Sequence, residues 1–569
     1  MDQITYEHLK KANYNEVVYY IMDRVRGKNF NEDNMSLVVA VSTLAYITKV
    51  HDTDAISYLK DKIEDEITVK YLGRINKEIN NLIYDISNKF DGNSLKAAAL
   101  FSEPKRFTEA DISATPDGII ELVISLLSLN NNDIILDLGS GVSSYLIQAA
   151  YKSGSNNVYG VEINTNNVII SNLRRFLVNL PINIIQGNII SQDYSYLSAN
   201  KVFSNYPIGM RFLELEKYIE NNVNLNKYFK GAKKTVSGDW VFGLASYLNT
   251  NKTGKTVILM SNAGTWNKQD EPYRKKFVEN GLIEGIILLP NRLFASTMTP
   301  LTMMILSQNN ENIRMVDATD IYTEGRRQNT LEASDIEAIM NAYYSNSDIS
   351  RDVKVQDVAE QEYILNPQRY IQINKVVDGI PLKDVSISIN RGAMIKSCEL
   401  DELISKEETN YQYLMLQNIQ DGVIESNLPY LVDIDKRLNK YCIKDKNLII
   451  SKISPFKVAM VHKDNNDNIL ANGNLYFIEL DEEKVNPVYV LMFLQSELGM
   501  AQLNRYSKGA AMKSISIQDL KEILIPRISR EEQDKLAEEY TNLSDELVVL
   551  QNQIDMIHEK IAKLVEEVI

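Results

Sequence analysis

Asn205 opens the run Asn205-Tyr206-Pro207-Ile208-Gly209, and the apolar segment Val202-Phe203-Ser204 leads into it. An amide at a strand end offers a side-chain carbonyl as a hydrogen-bond acceptor, and the proline biases the residue before it towards extended backbone. Three earlier places share this construction. Asp133-Ile-Ile-Leu-Asp137-Leu-Gly139-Ser-Gly141 sets an acid at the end of an apolar strand and two glycines ahead of a helix that starts near Ser143. Glycines let the backbone turn tightly and approach a ligand at a helix N-terminus. About twenty residues on, Val158-Tyr-Gly-Val161 ends in Glu162, where a carboxylate can accept both hydroxyls of a ribose. A third strand ends at Gly187-Asn188. By itself the glycine loop is equally a nucleotide-binding loop or a plain βα turn; four ligand-facing strand ends in this order are far more specific.

The elements that must hold these groups are strands alternating with helices. From about Thr115 short aliphatic or β-branched runs recur at Asp133–Leu138, Asn157–Val161, Ile182–Ile185, Lys201–Ser204, Thr256–Ser261, Ile283–Leu289 and Leu301–Leu306. That alternation predicts a mostly parallel sheet covered on both faces. Before it, Met35–Val50 is largely apolar and Asp54–Asp91 spaces apolar residues three and four apart, which predicts a helical N-terminal domain over 1–100. Asp317–Tyr370 is polar and reads as helical. Asn366-Pro367-Gln368-Arg369-Tyr370 marks a boundary, so the α/β domain with its helical extension covers 101–371. Strands and turns return over 372–529, with Gly392, Asn418–Gly422 and Asn472-Gly473 as turn signals. The last segment, 530–569, places Tyr540, Leu543, Leu547, Leu550, Ile554, Ile557, Ile561, Leu564 and Val568 at alternating steps of three and four, a coiled-coil seam.

With 569 residues, 44% hydrophobic and 24% charged, the chain needs several cores and is too apolar to be disordered. No run has the length and apolarity of a membrane span and the N-terminus lacks a signal-peptide pattern, so a soluble, cytoplasmic protein is expected. Cys398 and Cys442 lie far apart with no C-x-x-C and no nearby His, which predicts neither disulfide nor metal site and two buried thiols. A net charge of −15 argues against nucleic acid when summed over the chain. A local cluster runs the other way: Lys436, Arg437, Lys440, Lys444, Lys446, Lys452, Lys457 and Lys463 stand against the single acid Asp445, with Arg505, Lys508 and Lys513 beyond. Charge alone leaves a solvated face and a phosphate-binding face as equal alternatives.

On these motifs the chain resembles the adenine-N6 methyltransferases of type I restriction-modification systems. The resemblance extends to Ala114-Thr115-Pro116 upstream, and to Gly238-Asp-Trp-Val-Phe242, Leu289-Pro290 and Leu293-Phe294 downstream. It implies a Rossmann-like, S-adenosylmethionine-dependent methyltransferase domain. Thr115 and Pro116 would lie at the methionine end of the cofactor, Asp137, Gly139 and Gly141 around the methionine and ribose, Glu162 on the ribose and Asn188 on the adenine. The catalytic motif would be Asn205, Tyr206, Pro207 and Ile208, a variant of N-P-P-[F/Y]. Its task is to localise the lone pair of a flipped adenine's amine by two acceptors, the Asn205 side chain and the Tyr206 carbonyl. Three positions depart from the family: Ser143 replaces the third glycine, Asn188 an aspartate, and Ile208 the aromatic that stacks on the base. Tyr206 or Phe212 is the expected source of a replacement ring.

After Tyr370 the chain resembles half of a type I specificity subunit, one target-recognition domain and one long helix. The matching pieces are Ser386–Gly392, Tyr413–Gly422, Lys446–Ser451, Asn474–Ile478, Pro487–Gln502 and Gly509–Gln533. The fold expected is therefore multidomain α and α/β: helical N-terminal domain, methyltransferase domain, mixed α/β target-recognition domain, coiled-coil helix. The partners implied are double-stranded DNA, contacted by the two basic groups and by Lys227–Lys234, and a second copy or related chain through the tail helix. A separate nuclease subunit is compatible with this reading, since the N-terminal domain carries no P-D…E-x-K pattern. The alternative, motivated by Ser143, Asn188 and Ile208, is a non-catalytic DNA-binding or cofactor-sensing subunit.

Overall fold

A computed structural model describes residues 2–26, 33–51, 54–103, 115–229, 235–294, 297–371, 376, 378–420, 422–425, 427–432, 434–462, 468–507 and 513–566. Two compact units divide between Ile371 and Gln372.

The first unit begins with six helices: α1 (Gln3–Lys10), α2 (Asn15–Val25), α3 (Asn34–His51), α4 (Ala55–Lys60), α5 (Glu66–Lys89) and α6 (Gly92–Phe101). Aspartates start five of them. Asp2, Asp33, Asp54, Asp65 and Asp91 each accept the backbone N–H three residues on, satisfying a donor the first turn leaves open. Helix α3 is apolar nearly all round, the pattern of a helix at the middle of a core. Its residues Leu37–Ala45 are buried.

Next come α7 (Asp117–Leu127), β1 (Ile134–Leu138), α8 (Ser144–Ser153), β2 (Asn157–Glu162), α9 (Thr165–Val178), β3 (Ile182–Gln186) and β4 (Ala199–Ser204). A hairpin, β5 (Arg211–Leu213) and β6 (Thr235–Ser237), carries the short α10 (Glu216–Ile219) and α11 (Val223–Phe229) and precedes α12 (Gly238–Leu248). The sheet is completed by β7 (Thr250–Ser261), β8 (Ile283–Leu288), β9 (Leu301–Leu306), β10 (Asn312–Asp317) and β11 (Ser350–Lys354). Its order is β11-β10-β8-β9-β7-β4-β1-β2-β3. All seven strands expected from the sequence form. The sheet is mostly parallel; β9 runs antiparallel to both β7 and β8, and β11 antiparallel to β10.

Two expectations need correction here. The segment 317–370 is not wholly helical, because Ser350–Lys354 is an edge strand on β10. The N-terminal helices do not form a core of their own. One apolar cluster joins Ile21, Leu44 and Ile75 to Leu173 of α9, Ile135 of β1 and Ile305 of β9, so the N-terminal helices share the core on one face of the sheet and reach it over α9.

In the second unit a four-stranded antiparallel sheet, ordered Ser386–Arg391, Leu475–Leu480, Leu448–Ser451, Val458–Met460, packs on the helix Pro487–Gln495. A smaller sheet joins Ile404–Ser405, Tyr430–Leu431, Tyr411–Leu414 and Asn468–Ala471. Cys398 is exposed and Cys442 half-buried, contrary to the expected pair of buried thiols, because Cys398 begins on the solvated turn of the helix Ser397–Leu403. The tail is a single helix, Arg530–Glu566. Its first turns lie on their own unit: Ala537 is buried, Gln533 accepts from the Asn486 N–H and Tyr540 donates to Gln495 at 2.6 Å. Tyr540, the first member of the expected seam, is thus already taken. Leu543, Leu547, Leu550, Ile554 and Ile557 are exposed; the side chains of Ile561 and Leu564, and all of Val568, lie outside the described residues. No described helix is long and apolar enough to cross a membrane.

Candidate active site

Strands β2 and β3 lie to one side of β1, and β4 and β7 to the other. The chain therefore reverses its direction of growth between β1 and β4, and a crevice opens at the C-terminal ends of those strands, where open α/β sheets place ligands. Ser204 ties the two together by donating to the Leu138 carbonyl. A side-chain carbon added to Gly139 would lie 3.9 Å from the Asn205 carbonyl oxygen, so the glycine loop and the Asn205 loop are neighbours.

The glycine loop needs its glycines at two positions, Gly139 (φ +88°) and Gly141 (φ +53°). Ser143 also sits in the left-handed region, with φ +64°, the conformation that the family's glycine at this place would adopt freely. The loop is fastened to β2 by hydrogen bonds from the Gly139 and Ser140 N–H groups to Val161 O, and from Gly141 N–H to the Glu162 carboxylate at 2.8 Å. The other Glu162 oxygen accepts from Asn164 N–H at 2.7 Å. Burial raises the Glu162 pKa, partly offset by these donors.

Asp137 is buried with one carboxylate oxygen lacking any partner, and burial, reinforced by the nearby Glu162, raises its pKa well above the usual range. The Ser140 and Ser143 hydroxyls are likewise buried and unpartnered. Orphaned polar groups of this kind are uncommon in folded interiors. Asn188 spends its side-chain oxygen on its own turn, accepting from Ile190 N–H at 2.9 Å, which leaves its NH₂ as the free end. Arg174, a residue the sequence reading missed, is fully buried under the loop. It donates to Val142 O and to the carbonyls of Ala99 and Ser102 at the end of α6. Burial lowers its pKa to about 10. Within the sequence it is one of many helix arginines, and only the fold shows what it ties.

Asn205 is half-buried, and its amide nitrogen donates to the Thr115 hydroxyl at 2.9 Å. That bond turns the amide so that its oxygen is the end left to accept. Pro116 caps α7 directly after Thr115. Pro207 is exposed and Ile208 half-buried against the core. The expectation that Tyr206 or Phe212 offers a ring to a base is overturned: both are 2% exposed. The Tyr206 ring stacks on Phe242 at 4.6 Å and its hydroxyl points to Asp239. An aromatic in this loop is spent on the core because α12 lies directly beneath it.

In the second unit the basic residues divide by what they touch. Lys436, Arg437 and Lys440 project from the exposed turn Lys436–Tyr441, Arg437 paired with Asp435. Lys444 pairs with Glu479 and Lys446 with Glu482, surface pairs of the kind that is worth little. Lys457 instead donates to the Ile419 and Leu416 carbonyls, a structural use. Lys452 stands beside Arg391, which the sequence reading passed over. The registers Arg391↔Tyr476 and Ile450↔Tyr476 bring the ends of two strands to one edge. Arg505 lies over the Tyr506 ring, and Lys513 accepts from Ser454 through its carbonyl. Lys463, Lys508 and the basic stretch 230–234 lie outside the described residues; Lys227 is on α11. Among the described residues no group of His, Cys, Asp or Glu is placed to hold a metal ion.

Residues 109–378 match the model of the family described as N-6 DNA Methylase. The type I restriction enzyme MjaVIII methylase subunit of Methanocaldococcus jannaschii is 26% identical over 320 residues, 51% of this chain and 54% of that protein. The HindI methylase subunit of Haemophilus influenzae is 21% identical over 329 residues, 51% of this chain and 71% of its own length. The chain spans about half the length of the first of these relatives. Among solved structures, the type I restriction-modification methyltransferase subunit from Streptococcus thermophilus has a TM-score of 0.47 at 17% identity, covering 65% of this chain and 100% of that one. The type IIG restriction endonuclease BpuSI has a TM-score of 0.49 at 13% identity, covering 93% and 74%. The segment 109–378 of this chain is thus an N-6 DNA methylase domain with homologues among the methylase subunits of type I restriction enzymes.

Proposed function

We propose that this protein methylates N6 of adenine in DNA, taking the methyl group from S-adenosylmethionine. The observation that carries the reading is Asn205 beside the glycine loop, its amide nitrogen held by Thr115 and its oxygen left to accept. The cofactor supplies an electrophilic methyl on a sulfonium. Asp137, Ser140 and Ser143 carry unpartnered buried groups for its polar end, Glu162 lies where the ribose hydroxyls belong, and the Asn188 NH₂ suits an acceptor nitrogen of the adenine. The adenine amine is a weak nucleophile because its lone pair is delocalised into the ring. Acceptance of its two hydrogens by Asn205 Oδ1 and the Tyr206 carbonyl returns that pair to nitrogen. The amine so activated would take the methyl group that the bound cofactor supplies, and its surplus proton would pass to water.

Glu162→Ala is expected to weaken S-adenosylmethionine binding by about 1.5 to 3 kcal/mol, the range for a hydrogen bond to a charged group. Calorimetry checks this, and an unchanged affinity removes Glu162 from the site.

The second unit is the DNA-reading part in this reading, with Lys436, Lys440, Lys452 and Arg391 on phosphates. The tail helix pairs with a second copy, because five exposed apolar residues repeat along one seam from Leu543 to Ile557. The rival, a non-catalytic DNA-binding subunit, is favoured by one observation: no ring of the Asn205 loop is exposed. Ile208→Phe supplies one. Single-turnover transfer is expected to rise roughly fivefold, about 1 kcal/mol, the lower end for base stacking. An unchanged rate places the limiting step elsewhere. Wild-type protein that binds DNA and cofactor but transfers nothing decides for the rival.

A further inference from the structure

Asp239 has no part in the chemistry above, yet it is a buried carboxylate, 2% exposed, at the first turn of α12. Four donors converge on it from three loops. One oxygen accepts from Ser261 N–H at 3.2 Å and Tyr206 O–H at 3.3 Å, a proton shared with the Asp239 carbonyl at 3.2 Å; the other accepts from the Ser261 and Ser237 hydroxyls. Ser261 ends β7, Ser237 ends β6, and Tyr206 is in the loop after β4. Gly264 approaches from the turn after β7: a side-chain carbon there would lie 3.0 Å from Asp239 Oδ2. Phe242, three residues along α12 and on the same face, stacks on the Tyr206 ring at 4.6 Å with the planes 16° apart. Helix α12 therefore grips Tyr206 at both ends of its side chain.

A carboxylate costs free energy to bury unless donors surround it, and its place at a helix N-terminus meets part of that cost. Such a centre is rigid, because shifting any one loop strips a partner from a charge that cannot reach water. The Tyr206 carbonyl is one peptide from the Asn205 side chain, so whatever fixes Tyr206 fixes the distance between the two acceptors. We infer that Asp239 is a positioning residue, which through Tyr206 holds the second acceptor carbonyl at the spacing the target amine requires. The inference rests on the methyltransferase reading above.

Single-turnover methyl transfer from tritiated S-adenosylmethionine to unmethylated genomic DNA, beside calorimetric cofactor affinity, tests it. Tyr206→Phe keeps the stacked ring and removes only the hydroxyl; it is expected to slow transfer about tenfold with cofactor and DNA affinities unchanged. Asp239→Asn, which sets an NH₂ against donors, is expected to slow transfer roughly a hundredfold. Because both variants act on the contact between Tyr206 and residue 239, whose backbone carbonyl still accepts from the Tyr206 hydroxyl in Asp239→Asn, the double variant should be slower than Asp239→Asn alone by much less than about tenfold. Tyr206→Phe at the wild-type rate overturns the inference, as does a double variant in which the two losses multiply. A general packing defect would instead weaken cofactor binding and lower the melting temperature in step with the rate, and that outcome also overturns it. If the wild-type protein transfers no methyl to any DNA, it is the methyltransferase reading that fails.

Discussion

Asn205→Ala is expected to reduce methyl transfer by at least about a hundredfold while leaving cofactor and DNA affinity within about twofold of wild type. Removal of a preorganised hydrogen-bonding group aimed at a transition state typically costs two to three orders of magnitude in rate. The acceptor acts on the amine as it becomes a nucleophile, so the loss belongs in kcat rather than in binding. Stability should change little, since Asn205 is only half-buried and its side chain is held by a hydrogen bond to Thr115. Thr115→Val, which leaves Asn205 in place but frees its amide to rotate, should fall between the two. Calorimetry with S-adenosylmethionine and single-turnover transfer separate the arms. Loss of cofactor binding along with transfer would make Asn205 a turn residue and nothing more.

Truncation after Asn542 is expected to convert a dimer into a monomer and to weaken DNA binding by an order of magnitude or more. The cut leaves in place the contacts of Gln533, Ala537 and Tyr540 with their own unit and removes the exposed Leu543, Leu547, Leu550, Ile554 and Ile557. Full burial of a leucine or isoleucine side chain is worth roughly 1.5 to 3 kcal/mol, and five such residues per helix are enough to hold two helices together against the entropy of association. Two linked DNA-reading units then engage one DNA molecule with a gain in avidity that a monomer lacks. Light scattering at micromolar concentration, with and without DNA, is the measurement. A monomer at both lengths would end the dimer proposal.

The strand ends were legible because they change residue type abruptly. Aliphatic runs stop at an acid, a glycine or an amide, and each stop marks a junction where backbone must turn and where ligands gather. Asp137, Glu162, Asn188 and Asn205 were all found this way, and the fold brings their strand ends to one side of the sheet. Strand β11 was missed because Ser350-Arg-Asp-Val-Lys354 lies at an edge with three of its five residues exposed, so it carries no apolar signal. Met35–Val50 and Asp54–Asp91 read as helical, and their described residues lie mostly on α3, α4 and α5, yet such a pattern says only that a face is apolar. What covers it, here α9 and the sheet, is a long-range fact. Tyr206 was misread for a related reason. In a loop of this kind an aromatic reads as a surface for a base, and its actual partners, Asp239 and Phe242, come more than thirty residues later on α12. Arg174 escaped notice, and Asp239 was seen within Gly238–Phe242 but given no role, because a buried charge is recognisable only by its donors and acceptors, which local sequence does not contain.

The most direct test is to incubate the full-length protein with S-adenosylmethionine and unmethylated genomic DNA, digest the DNA to nucleosides and identify the product by mass spectrometry. The account predicts N6-methyladenosine as its deoxynucleoside, formed by the wild-type protein and lost in Asn205→Ala. Methylated cytosine, methyl groups on protein alone, or no transfer by a protein that binds both DNA and cofactor would contradict it.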